Sequence, residues 1–250
     1  MPMPTPPRLL PAVDFRPWKL SGVVIGTLLN DPATLEAIGA AAQEPPYKAP
    51  PRAPVLYVKP HNSLMPSGAR TTLPDGVSGL SIGAAIGLVI GRATCRVSAQ
   101  TVAAGDAGFI AGYTVVVDLF VPHASLYRPS VRERAFDASC VVGPTVIAPG
   151  GFDPDDAVID VRVDGAPVQS IPTKGLIRPA AQLVADISEF MTLQAGDVLL
   201  AGVRHAPPRI EAGQTWSVAC AAIGSLDGTI VAAGPDGFRP AGKPLPENAA

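Results

Sequence analysis

The sequence predicts an α+β protein with a β-rich core. Three observations carry this. Short β-branched and apolar runs recur along the chain, only two or three segments have helical spacing, and strands and helices do not alternate regularly. A doubly wound sheet needs that alternation, so it is disfavoured. Hydrophobic residues make up 47% and charged residues 16% of the 250 positions. This is enough apolar matter for a real core and too little charge for a disordered chain. Aromatic residues are only 5%, so Val, Ile, Leu and Ala must fill the interior.

Taken in order, residues 1–19 read as a proline-rich arm, because prolines at 2, 4, 6, 7, 11 and 17 forbid regular helix. A disordered tail and an arm packed on a partner subunit both fit. The domain proper is expected over residues 20–233. Val23–Leu29 reads as a buried strand. Asp31-Pro32 then starts a helix, with Asp31 as N-cap, Pro32 at the first helical position and an Ala-rich body over residues 33–42. Val55–Pro60 is a strand running into a loop, and Gly83–Gly91 a buried strand of small residues. Residues 98–109 suit a short helix, and Ile110–Val121 is a β-branched strand interrupted by one acid, Asp118. Val158–Val163 alternates, Asp164-Gly165 follows, and Val168–Ser170 returns, which predicts a hairpin with a primed turn. Residues 179–192 place Leu183, Val184, Ile187, Phe190 and Met191 at helical spacing. Gln194–Leu200 turns into another buried strand, and the Pro/Gly-rich stretch 234–250 is expected to fray as a flexible tail.

Net charge is −2 with no basic stripe, which argues against a nucleic-acid partner. The N-terminal tail lacks the basic and apolar regions of a signal peptide, and the apolar run at Leu80–Ile90 is too short to span a bilayer. Cys95, Cys140 and Cys220 are odd in number and widely spaced, as free thiols of a reducing cytosol would be. The expected protein is cytoplasmic, with no membrane and no zinc site.

Five segments together resemble the fumarylacetoacetate hydrolase family: Val55–Ser63 (VLYVKPHNS), Gly87–Arg92 (GLVIGR), Ile110–Asp118 (IAGYTVVVD), Tyr127–Pro129 (YRP) and Ser188–Gly202 (SEFMTLQAGDVLLAG). They occur in family order. The resemblance implies a mixed β-sheet roll with a few short helices. Tyr47–Pro51, the YRP and the SEFMTLQAGD resemble most the decarboxylase/isomerase branch of the 4-hydroxyphenylacetate (homoprotocatechuate) pathway, and in it the N-terminal half, which carries no metal site.

Active family members place Glu-x-Glu-Leu just before the V-I-G of this strand. Alternation turns both carboxylates to one face, and with a further Asp they offer hard oxygen ligands to Mg²⁺. In this chain those two positions are Gly83 and Ala85, and only the third is kept, as Asp118. No metal cofactor is therefore expected. The family's catalytic His falls near Thr34, so the usual general base is missing there. The usual Lys of the K-x-R-D-G motif aligns with Arg134 and its Asp with Asp137, and the glycine-threonine-proline loop is Gly202-Val203-Arg204. Lys59, Asp118, Arg128, Arg134 and Asp137 make up the candidate substrate site, with Arg204 as a further cation. His61, His123 and His205, near prolines in loops, read as structural or exposed.

Three functions follow from the resemblance. The first is a subunit of a bifunctional enzyme, paired with a homologous metal-bearing subunit or with copies of itself. It would decarboxylate 5-oxopent-3-ene-1,2,5-tricarboxylate and isomerise 2-hydroxyhepta-2,4-diene-1,7-dioate, both small keto-acid substrates with two or three carboxylates. The second is a catalytically dead structural or regulatory subunit. The third is a hydrolase cleaving C–C bonds in a diketo acid.

Overall fold

The structure is a computed structural model, and it describes residues 22–105, 107–123, 126 and 130–233. The proline-rich arm, the C-terminal tail and Arg128 of the candidate site lie outside the described residues.

Thirteen strands and four short α-helices are described. The strands are β1 (Val24–Leu28), β2 (Val55–Lys59), β3 (Leu64–Met65), β4 (Arg70–Thr72), β5 (Gly79–Ile90), β6 (Ile110–Phe120), β7 (Cys140–Val142), β8 (Val158–Val163), β9 (Ala166–Pro172), β10 (Val198–Leu200), β11 (Arg209–Glu211), β12 (Thr215–Cys220) and β13 (Gly224–Val231). The helices are α1 (Pro32–Ile38), α2 (Ala99–Ala103), α3 (Val131–Arg134) and α4 (Ala180–Ser188). The architecture is the mixed β-sheet roll expected.

One sheet runs β2-β1-β10-β5-β6-β7-β3, with β11 on the far part of β5; the other runs β4-β13-β12-β8-β9. Chain length forces the first sheet to curl. Its edge strands β2 and β3 are joined by the short connection between Lys59 and Leu64. Five residue steps span at most about 18 Å. A flat sheet of seven strands about 4.8 Å apart would hold its edges about 29 Å apart. The sheet therefore rolls up until its edges approach.

Rolling separates the two faces of the sheet. The outer face of β5 and β6, with Leu80, Ile82, Ile86, Val115, Val117 and Leu119, packs in one large core against β8, β12 and α4. The inner face is lined by small apolar residues, among them Val24, Ala85, Val89, Val116, Cys140 and Val198. This explains why all twelve residues of β5 are buried: neither face meets water, so apolar residues run without alternation. Strand β8, covered on one side only, keeps the strict alternation that its sequence shows.

The local expectations hold in most places. Asp164 and Gly165 both have positive φ, 49° and 79°, as a primed hairpin turn requires. Helix α1 begins at Pro32, but it ends at Ile38, and Gly39–Gln43 continues as a 3₁₀ turn. Asp31 stands at the N-cap without a side-chain cap bond, because its carboxylate is drawn across the fold to Arg204 Nη1 at 2.7 Å and to the His205 N–H at 2.7 Å. Strand β5 starts at Gly79, four residues before the sequence suggested. The strands after residue 208, not predicted from the sequence, pair with one another and with β5 and β8.

Gly26 fixes one position that matters for the site. It pairs with Tyr57 across β1 and β2, and a Cβ there would lie 1.9 Å from Tyr57 Cζ. The tyrosine ring lies in the space that a side chain would fill. Gly26→Ala should therefore displace the ring and lower stability by about 1–3 kcal/mol, the usual range for overpacking. A urea midpoint equal to that of the unaltered protein would show that the ring has room to move.

Candidate functional site

The site grows from alternation. On β6, Val116, Asp118 and Phe120 point to the inside of the roll, and on β2 Tyr57 and Lys59 do the same. Curling brings β2 against β6 although three strands stand between them in the sheet order. Lys59 Nζ then reaches Asp118 Oδ1 at 2.7 Å, and Tyr57 Oη donates to Asp118 Oδ2 at 2.5 Å. Helix α3 supplies Arg134, whose Nη1 donates to the same Oδ2 at 2.5 Å. Lys59 also donates to the Arg134 carbonyl, to Ser139 Oγ at 3.0 Å and to the Leu119 carbonyl at 3.5 Å. The Arg134 guanidinium carbon lies 3.9 Å from the Phe120 ring centroid and 4.5 Å from that of Tyr57.

Burial of this cluster is nearly complete: Asp118 is 0%, Lys59 1% and Arg134 3% exposed. Burial opposes ionisation of Asp118, but Lys59 and Arg134 outweigh it and hold the carboxyl below its ordinary value of 3.8. Tyr57 is driven the other way, well above 10.0, by burial and by the Asp118 charge, so it stays a neutral donor. Cys140, paired opposite Asp118, is pushed up to about 12 by burial and is no nucleophile.

A cavity of about 510 Å³ opens beside the cluster. Arg134 and Phe120 form part of its wall, α1 contributes Thr34, Ala37 and Ile38, and the loop from Val203 to Pro207 closes another side. Asn30 holds this loop to the end of β1 by donating to the carbonyls of Ala201 at 2.6 Å and Arg178 at 3.0 Å. No carboxylate occurs among the described lining residues; the charged ones are Arg134 and Arg204.

The predicted site residues separate on this geometry. Arg134 lines the cavity, whereas Asp118 and Lys59 sit behind it as its support. Asp137 is apart, accepting from Asn62 Nδ2 at 2.5 Å. Arg204 is in the wall, but Asp31 and the carbonyls of Pro172 and Lys174 already take its donors. Thr34, at the position of the family's catalytic His, does line the cavity. His61 and His205 are exposed, as read from the sequence, and His123 is half-buried; His123 and His205 also line the cavity. Sequence reasoning also missed Tyr57, Phe120, Thr27 and Ser81. Tyr57 and Phe120 left a usable signal, since they stand two residues before Lys59 and two after Asp118 on strands and so share their faces.

A family profile described as fumarylacetoacetate (FAA) hydrolase C-terminal matches residues 23–231. The chain belongs to the fumarylacetoacetate hydrolase family. It is 32% identical over 212 residues to the 4-hydroxyphenylacetate degradation bifunctional isomerase/decarboxylase of Escherichia coli, a match that covers 85% of this chain and 48% of that protein. The chain thus spans about half the length of such curated relatives. Among solved structures, it is similar to a 5-carboxymethyl-2-hydroxymuconate delta-isomerase from Mycobacterium smegmatis, with a TM-score of 0.70, 28% identity and coverage of 86% and 80% of the two chains. It is also similar to a 2-hydroxyhepta-2,4-diene-1,7-dioate isomerase from Mycobacterium marinum, with a TM-score of 0.68, 26% identity and coverage of 86% and 76%.

The family's divalent ion does not fit the residues present. Gly83 pairs directly with Asp118, and a Cβ added to it would lie 2.8 Å from Val203 Cγ2, so a valine stands where a glutamate would project. Both Asp118 oxygens are taken by three donors, two of them cationic. A divalent ion at Asp118 would face that positive charge with a single acid. No group of three His, Cys, Asp or Glu suited to a metal occurs among the described residues.

The ion cluster also sets a pH dependence. Because the folded pKa of Asp118 is depressed, its contribution is fully present above its ordinary value of 3.8 and is lost as pH falls through the depressed value. Asp118→Asn should cost about 3–5 kcal/mol at neutral pH, the penalty of stranding buried cations. Denaturant melts should show the gap to the unaltered protein narrowing below pH 3.8; a gap independent of pH would remove the ion cluster as its cause.

Proposed function

We propose that this chain is the metal-free component of a bifunctional decarboxylase/isomerase that acts on a keto acid with two or three carboxylates. Its substrates would be 5-oxopent-3-ene-1,2,5-tricarboxylate and 2-hydroxyhepta-2,4-diene-1,7-dioate, and its partner a homologous metal-bearing subunit or further copies of itself. The observation that carries this reading is the cavity beside Arg134: cationic, without a lining carboxylate among the described residues, and backed by a buried ion cluster. The relatives whose names include isomerase and decarboxylase support the reaction class.

Both reactions pass through an enolate-like state. Loss of carbon dioxide leaves an electron pair beside the keto group, and isomerisation moves a proton along the conjugated chain. Arg134 would bind the carboxylate next to the reacting carbon and stabilise the charge that develops there. Lys59 and Asp118 would hold Arg134 in place. The Thr34 hydroxyl is too weak an acid and base to carry a proton in such a step near neutral pH. A proton carrier would come instead from His123 or His205, whose imidazoles line the same cavity.

A second reading, a structural subunit without turnover, is favoured by Thr34 at the place of the catalytic imidazole. Mixing the chain with a metal-bearing homologue and following carbon dioxide release and the diene absorbance separates the two. We expect a rate above that of the homologue alone, and His123→Ala should reduce that gain by about a hundredfold if His123 carries the proton. A rate equal to the homologue's own would leave the structural reading.

A further inference from the structure

The donors of Arg134 are used unequally. Nη1 is committed to Asp118 at 2.5 Å. Nε is buried without an acceptor, and no described group accepts from Nη2. In a guanidinium, the Nε and Nη2 hydrogens lie on one edge, spaced to meet the two oxygens of a carboxylate. A side chain only 3% exposed that lines a cavity and leaves its Nε without an acceptor needs an explanation. A second unpartnered donor, the hydroxyl of Thr27, is 1% exposed in the same wall.

The unequal use has a visible cause. A carboxylate facing an arginine ordinarily takes two N–H groups from it. Asp118 does not, because Lys59 holds Oδ1 at 2.7 Å and Tyr57 shares Oδ2 with Nη1. Tyr57 itself is not part of the cavity wall. Its ring is set over Gly26 and against the guanidinium, and its hydroxyl meets nothing but Asp118 among the described residues.

We propose that Tyr57 is a positioning residue: by occupying Asp118 Oδ2 it stops that carboxylate from capturing a second N–H of Arg134. The Nε–Nη2 edge is thereby held open as a two-pronged seat for one carboxylate of a 2-oxo acid or its enol, without a divalent ion. This deepens the reading of the cavity given above and rests on it. Removing the hydroxyl frees Oδ2, Nη2 turns to Asp118, and the seat closes from behind.

The test is calorimetric titration of the full chain with oxalate in the presence of EDTA, using the unaltered protein, Tyr57→Phe, Arg134→Lys and the double variant. The unaltered protein should bind. Each single variant should weaken binding at least tenfold, since lysine keeps the charge but lacks the edge. The double variant should be no weaker than the weaker single, because both changes remove the same seat. Losses that add, or a Tyr57→Phe protein that binds normally, overturn the positioning role. Thermal melts show whether Tyr57→Phe stays folded. Independently of any variant, the Nε–H resonance of Arg134 in the unaltered protein should move on adding oxalate, and a resonance that stays in place overturns the seat. If oxalate does not bind the unaltered protein, this proposal and the ligand reading of the cavity both fall. If oxalate binds but the mixed-subunit assay shows no turnover, only the catalytic reading falls.

Discussion

Asp118 sits on a central strand of a rolled sheet, fully buried, with a lysine and an arginine on its two oxygens. One acid and two bases leave this cluster one positive charge in excess. Such a charge is costly inside a protein unless every donor finds a partner. Lys59 does, through Asp118, two carbonyls and Ser139. Arg134 does so only in part: its Nε finds no acceptor, and the residue lines the cavity. The placement of α3 and the chemistry of the cavity both turn on this one arrangement.

The roll explains why the interior face is made of small residues. Its inside must hold the Tyr57 ring and the Lys59 stem, and Gly26 leaves room for the ring. The absence of a side chain at Gly83 also lets Val203 approach β5. The small residue there therefore permits an apolar contact from the loop on the other wall, and a glutamate at that position would require the loop to move first.

The cavity walls are tied together by polar side chains as well as by the apolar packing of Leu28, Leu29 and Ile38. Asp31 bonds to Arg204 and to the His205 N–H, and Asn30 bonds to the carbonyls of Ala201 and Arg178. Burial raises the cost of ionising Asp31, but Arg204 and the His205 N–H lower its pKa on balance. These bonds set the opening of the cavity and explain why Arg204, although in its wall, has few donors to spare.

Much of this was legible in the sequence. Periodicity was enough to place β1, β2, β6, β8 and α4, and the Asp164-Gly165 pair was enough to place a primed hairpin turn, because each depends on residues close along the chain. The small residues at Gly83 and Ala85 were equally plain. The residues themselves could not show that Tyr57 and Lys59 would meet Asp118. That contact joins positions about sixty residues apart, through a sheet whose edges approach only because the link from Lys59 to Leu64 is too short to span it flat. Nor could they show that Asp31 would abandon its cap for Arg204, or that His123 and His205 would face one cavity. Local pattern determines which strand face a side chain takes; only the closure of the roll decides which faces confront each other, and so which edge of Arg134 is left open.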